Sequence, residues 1–260
     1  MFVIPPLNQI VKKTAMLTQM ISTALVFLVL FVFSILSWQN AEQTLKTQRE
    51  QAMNEKLTSV EDTIVQRVEL NRTLLRAGAG LFEASDNTVT RDEWHRFVQQ
   101  FSVDERFKGI SAVGYIQVVP SNERDSFVRN IRLHDVANYT ITPNGDREVY
   151  APVLYSEHIQ GNNTALGYDS YTNVTRRVAM ETARDEGHAT MTDPLSLSAG
   201  NKKGVIMYIP VYDQRSSPQN ITDRRAELQG YVYLGMRTND LLANIINKND
   251  KNIGLVVSDK

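Results

Sequence analysis

Residues 16–38 read MLTQMISTALVFLVLFVFSILSW and carry no charged side chain. At ~1.5 Å of rise per residue, about 20 such residues cross a ~30 Å hydrocarbon layer as a helix. Thr18, Gln19, Ser22 and Thr23 fall in the first turns, near one interface, and Trp38 stands at the other, where indoles are favoured. Lys12 and Lys13 precede the span, and the next basic residue is Lys46. The positive-inside bias therefore puts residues 1–15 in the cytoplasm and everything after Trp38 outside it. A buried core helix is one alternative, but such helices are usually shorter or amphipathic. A cleaved signal peptide is another; its apolar core would run only about 7–15 residues, with an A-x-A site behind it, and no such site follows here. The run is read as an uncleaved transmembrane anchor.

Of the 260 residues, 42% are hydrophobic and 22% charged, with a net charge of −1, enough apolar material for one or two compact domains. A near-neutral balance offers no basic face to displace counterions, so no nucleic-acid partner is expected. The absence of cysteine removes disulfides, thiolate metal sites and cysteine nucleophiles together, and leaves the redox compartment open.

Residues 39–80 contain no proline, and no glycine before Gly78; Glu, Gln, Lys, Leu and Ala dominate, all good helix formers. Leu57, Val60, Ile64, Val68 and Leu75 recur at helical spacing and form one apolar stripe. A second copy of this stalk, making a homodimer, would bury that stripe, and so would the chain's own globular part. Both readings stand.

After Gly80 the texture changes to short elements. Thr90 and Glu93 have capping-box spacing and open a helix with Trp94, Phe97, Val98 and Phe101 on one side. Residues 110–119 (ISAVGYIQVV) read as a largely buried strand, and Pro120 and Ser121 start a helix through Arg132. Asn144 and Gly145 signal a turn before an apolar strand at 150–155. A helix over 173–186 stops at Gly187, a natural left-handed cap. Residues 204–212 (GVIMYIPVY) form a strand interrupted by Pro210, and 230–236 (GYVYLGM) form another. Asn239 can cap a short helix at 240–247, and a last strand begins at 253–257. This order predicts an α+β fold with antiparallel sheets.

Catalytic motifs are missing. His95, His134, His158 and His188 show neither H-x-x-x-H nor H-E-x-x-H spacing, so no metal site is expected. No Walker A sequence, G-x-S-x-G elbow or G-x-G-x-x-G fingerprint occurs. No cofactor is expected either. An enzyme built from Asp169, Arg176 and a distant histidine is not asked for by any spacing.

Several pieces do recur in a recognisable order. Residues 81–89 (LFEASDNTV) are followed by Trp94 and Phe97, then by 109–115 (GISAVGY) with Val118, Val119, Glu123 and Arg124. Next come 150–153 (YAPV), 165–169 (ALGYD), Arg176, Arg177, Ala183, Arg184 and Gly187. Residues 194–197 (PLSL), Gly204, 210–212 (PVY), Arg224, Arg225 and Gly230 complete the set. This ordered series, over roughly residues 75–250, resembles the CHASE family, the extracellular sensory domain of histidine kinases and cyclases.

The resemblance implies a stalk helix at 39–80 carrying two PAS-like modules: a membrane-distal ligand module at 81–212 and a membrane-proximal, incomplete one at 213–260. It implies a small-molecule ligand bound by Asp169, Leu197, Tyr208, Tyr150 and Leu195. Asp169 matches the aspartate that hydrogen-bonds adenine in the cytokinin-binding members, and Leu197 matches a pocket-lining leucine. Tyr208 falls where those members carry threonine; a phenol there reshapes the pocket and argues against cytokinin itself. Asp169 also has a purely local reading, as a cap for the following helix or a partner of Arg176 or Arg177. Residues 1–260 include neither a second span nor an output domain, so the chain is expected to be non-catalytic, with a kinase or cyclase as the parent protein.

Overall fold

The computed structural model describes residues 7–85, 88–103, 107, 109–158, 165–197, 203–213 and 218–238. Residues 240–247 and 253–257, expected as a helix and a strand, lie outside them. The chain divides into two compact units, Met1–Glu61 and Asp62–Lys260.

In the first unit the described residues all belong to helix α1 (Leu7–Ala84). From Met16 onward α1 includes a stretch long and apolar enough to cross a membrane, none of it buried in the protein. In the second unit the last turns of α1 become part of a core. Leu74, Leu75, Ala79 and Phe82 are buried there, and Val68 packs beside them. The expected apolar stripe therefore divides: Val68 and Leu75 serve the chain's own domain, while Leu57 stays 48% exposed. The helix also runs past its expected end at residue 80. A Cβ on Gly78 would sit 3.0 Å from Val232 Cγ1 and 3.5 Å from Trp94, so glycine lets the helix lie close to the sheet. That packing outweighs the ~1 kcal/mol by which glycine disfavours a helix.

Helix α2 (Arg91–Gln100) begins with the expected capping box: Thr90 Oγ1 accepts from Glu93 N, and Glu93 Oε2 accepts from Thr90 N at 2.8 Å. Then come β1 (Ile110–Gln117), β2 (Val119–Pro120), a 3-10 turn (Ser121–Glu123) and α3 (Arg124–His134). They are followed by β3 (Val149–Tyr150), β4 (Val153–His158), a second 3-10 turn (Ser170–Thr172) and α4 (Val174–Glu186). The described residues end with β5 (Thr190–Met191), β6 (Leu195–Ser196), β7 (Lys203–Tyr212), α5 (Ile221–Ala226) and β8 (Leu228–Arg237).

The main sheet has the order β4-β1-β8-β7-β5 with β6 also on β7, and its neighbours are antiparallel. A two-stranded ribbon pairs β2 with β3. Strand β8 had been expected in a second module starting at Asp213. It instead pairs with β1 on one side and β7 on the other, so residues 228–237 complete the same sheet as the residues before 213. The reason is its sequence: Tyr231, Val232, Tyr233, Leu234 and Met236 are all buried. A strand apolar on both faces needs a central place with both faces covered.

Pro210 does not interrupt β7. Pairing with β5 reaches only Met207 and Tyr208, while pairing with β8 continues through Pro210. Among the described residues β7 is an edge from Ile209 onward, where proline's missing N–H is tolerated.

The two sheet faces carry two cores. On one, Val113, Tyr115, Met207, Val232 and Leu234 meet α1 and α2, with Phe82 stacked on Tyr115 at 3.8 Å. On the other, Ile116, Ile206, Tyr208, Tyr231 and Tyr233 cluster with Ala179, Met180 and Ala183 of α4. Helix α4 has Asn173 at its start and Gly187, at φ 74°, at its end. The architecture is α+β: a long N-terminal helix, then an antiparallel sheet domain.

Candidate functional site

The turn leading to Asp169 depends on Gly167, which adopts φ +78° and whose Cβ would collide with the Thr140 carbonyl; only glycine is free of both penalties. Backbone bonds then hold the segment in place. Thr142 N donates to Gly167 O (2.9 Å), Asp169 N to Thr142 O (2.7 Å) and Val153 N to Tyr168 O (3.0 Å). The Asp169 side chain is fully buried.

Its two oxygens have different surroundings. Oδ1 accepts from the backbone N–H of Ala151 at 2.9 Å and of Tyr171 at 3.1 Å, the second contact capping the 3-10 turn. Oδ2 has no hydrogen-bond partner among the described residues, although Arg147 Nη1 lies 3.4 Å away. Arg147 is itself held by Gly145 O (3.1 Å) and Pro143 O (2.9 Å) and lies over the Tyr150 ring at 5.3 Å. The cation beside Asp169 is thus neither Arg176 nor Arg177. Helix α4 is capped by Asn173, whose Oδ1 accepts from Arg176 N at 3.0 Å.

Tyr208 sits in mid-β7 opposite Thr190 and Tyr233. Its ring is fully buried, edge-on to Tyr231 (6.3 Å, 75°) and tilted against Tyr233 (6.4 Å, 44°). Its hydroxyl has no partner among the described residues, and burial pushes the phenol pKa upward. Ser170 Oγ, Thr190 Oγ1 and Arg176 Nε are buried and unpaired in the same sense. The Arg176 guanidinium lies 4.9 Å over the Tyr168 ring, and its charge is felt at Tyr208 and Tyr233. Native cores leave few polar atoms unpaired. These four and Asp169 Oδ2 offer acceptors and donors to a bound molecule or an ordered water.

Leu195 and Leu197 pack at the margin of the α4-facing cluster. Gly204 makes room for Leu197, because a side chain there would strike it and the Met236 carbonyl. Tyr150 belongs to the opposite core, flanked by Arg124 (5.5 Å) and Arg147 (5.3 Å). Its hydroxyl accepts from Arg147 N and donates to Gly145 O, both at 3.1 Å. The structure therefore groups Tyr208, Leu195 and Leu197 on the α4 side. Tyr150 is linked to Asp169 through Arg147.

Arg147 and Tyr171 escaped sequence reasoning, and Arg176 was singled out there without its inward place being seen. It shares a helical face with Ala179, Met180 and Ala183, a spacing that would have marked it as inward. Nothing in the sequence pairs Arg147 with Asp169, and Tyr171 gave no signal beyond its place after the aspartate. Among the described residues no three His, Asp or Glu side chains converge as metal ligands do.

Residues 87–260 match the CHASE domain family, and the chain belongs to that family of sensory domains. "Probable histidine kinase 4" of Oryza sativa subsp. japonica is 29% identical over 154 residues, which cover 57% of this chain and 14% of that protein. "Histidine kinase 2" of Arabidopsis thaliana is 26% identical over 140 residues, covering 47% of this chain and 11% of that protein. The match thus spans under a sixth of either relative. The periplasmic sensory domain of the Campylobacter jejuni chemoreceptor Tlp1 superposes with a TM-score of 0.42 at 11% identity, covering 74% of this chain and 60% of that one.

Proposed function

We propose that this CHASE domain senses a small molecule bound between the main sheet and α4, with Asp169 as the principal polar contact and Tyr208, Leu195 and Leu197 around it. The observation carrying the proposal is Asp169 Oδ2, an acceptor on a fully buried carboxylate that has an ion-pair neighbour in Arg147 at 3.4 Å but no hydrogen-bond donor among the described residues. An acceptor held in a mostly apolar setting gives few but directional contacts. In this reading residues 16–38 span the membrane with Lys12 and Lys13 in the cytoplasm, and the sheet domain lies outside the cell or in the periplasm. The exposed apolar residues of α1, including Leu45, Met53 and Leu57, pair with a second copy. Ligand binding shifts the population of two stalk arrangements through differential affinity, and an output domain beyond residues 1–260 reads the shift. The chain itself catalyses nothing.

A screen of small metabolites by thermal shift on the full chain in detergent tests this directly, since ligand at ~100 times its Kd adds about 2.7 kcal/mol. A hit that Asp169→Asn abolishes supports the proposal. If hits persist unchanged in Asp169→Asn, or none is found, the site assignment fails. A second reading has its own observation: Oδ1 already accepts two backbone N–H groups, as a purely structural carboxylate would. The domain would then act as a membrane-anchored protein-interaction module.

A further inference from the structure

A cleft of about 430 Å³ opens where the β2–β3 ribbon, α4, α5 and the start of β8 meet, within the range of small-molecule sites. Val118, Val149, Leu228 and the ring of Tyr171 supply its apolar lining, and Arg147, Arg177, Arg184 and Arg225 its cations. Glu148 and Glu181 share the lining. Asp169, fully buried, is not on it.

The four arginines are not equivalent. Arg147 is spent on two backbone carbonyls, as described above. Arg225 donates through Nε and Nη2 to both oxygens of Asp185, at 3.0 and 2.6 Å. Arg184 donates to Asp185 through Nε alone (2.7 Å), and Arg177 to Glu181 through Nε alone (2.9 Å). The Nη groups of Arg177 and Arg184 therefore have no acceptor among the described residues. Seven positions apart on α4, they lie about two turns from each other on one face, ~10 Å along the axis. Arg177 also lies 5.8 Å over the Tyr171 ring. Behind that ring the Tyr171 and Tyr231 hydroxyls meet at 3.1 Å, and the charge of Arg184 is felt at both.

We infer that this cleft is a second ligand site, for a small amphipathic anion: a flat apolar body against Tyr171, Val118 and Leu228, and a carboxylate or phosphate on the free N–H groups of Arg177 and Arg184. Guanidinium forks suit both oxyanions, because two parallel N–H groups match two oxygens. The site stands independently of the Asp169 proposal and adjoins it, since Arg147 lines the cleft and faces Asp169, and Tyr171 donates its backbone N–H to Asp169.

The test is calorimetric titration of the full chain in phosphatidylcholine nanodiscs with benzoate, phenyl phosphate and uncharged benzamide. One or both anions bind saturably, and benzamide binds at least about tenfold more weakly; the tighter anion tells carboxylate from phosphate. Arg177→Gln and Arg184→Gln each weaken the anion about tenfold or more, the loss of charge-assisted hydrogen bonds. The exposed Arg129→Gln leaves it unchanged. Arg177 is largely exposed, so its variant keeps the parent melting temperature even if Arg184→Gln does not. The inference is overturned if neither anion saturates, if benzamide binds equally well, or if a stably folded Arg177→Gln binds as the parent does.

Discussion

Asp169 offers one satisfied and one unsatisfied oxygen, so two substitutions at that position separate structure from binding. Asp169→Asn keeps an acceptor for the Ala151 and Tyr171 N–H groups and removes the charge facing Arg147. Asp169→Ala strands both N–H groups, at a cost of about 1–3 kcal/mol for each that stays buried. Denaturant titration is expected to rank the parent first, Asn next and Ala last; equal stability of the two variants would mean Oδ1 bears no structural role. Tyr208→Phe makes the opposite case. Its hydroxyl is desolvated without a partner among the described residues, so deleting it should leave the melting temperature level or raise it. A loss above about 1 kcal/mol would reveal a hydrogen bond to an ordered water. The sequence made Asp169 conspicuous because its neighbours matched a family pattern. It hid Arg147, because a contact across a loop leaves no spacing to read.

Helices and turns were the most legible elements, since their signals are local. Thr90 with Glu93, Asn173, and Gly187 each act within a few residues of where they sit. Strand partners are set by distant pairing instead, which is why Pro210 looked like a break. Helix α4 also carries a pH-dependent contact with α5. Arg225 and then Arg184, both hydrogen-bonded to Asp185, hold its carboxyl well below the usual carboxylate range. A lowered folded-state pKa adds stability above the unfolded pKa and loses it as pH falls through the folded value. The contribution should thus be complete at neutral pH and fade only in strong acid. Asp185→Asn is expected to be less stable than the parent at neutral pH, with the gap closing as the pH drops below about 4. Urea unfolding of both proteins across that range checks it. An unchanging gap would show that the two guanidinium contacts matter for shape rather than charge.

At the scale of the whole molecule, the apolar span and the α+β class were readable because composition and periodicity report them directly. The position of β8 was not. Its apolar run announces a buried strand, yet nothing in the sequence says between which partners. A chain ending at residue 227 lacks the strand that joins β1 to β7 and should show no cooperative unfolding transition by circular dichroism. If it melts cooperatively, β8 is an accessory rather than the keystone of the sheet.

That central strand is also the last of the eight described strands to be synthesised. Strands β1 and β7 do not pair with each other, so while the ribosome is still making residues 213–227 the nascent chain holds two apolar strands with an empty lane between them. Closing that lane joins segments more than a hundred residues apart, the kind of long-range pairing that slows folding and leaves strand edges open meanwhile. Chaperone demand during biogenesis should therefore peak just before β8 emerges, and fall once it is in place.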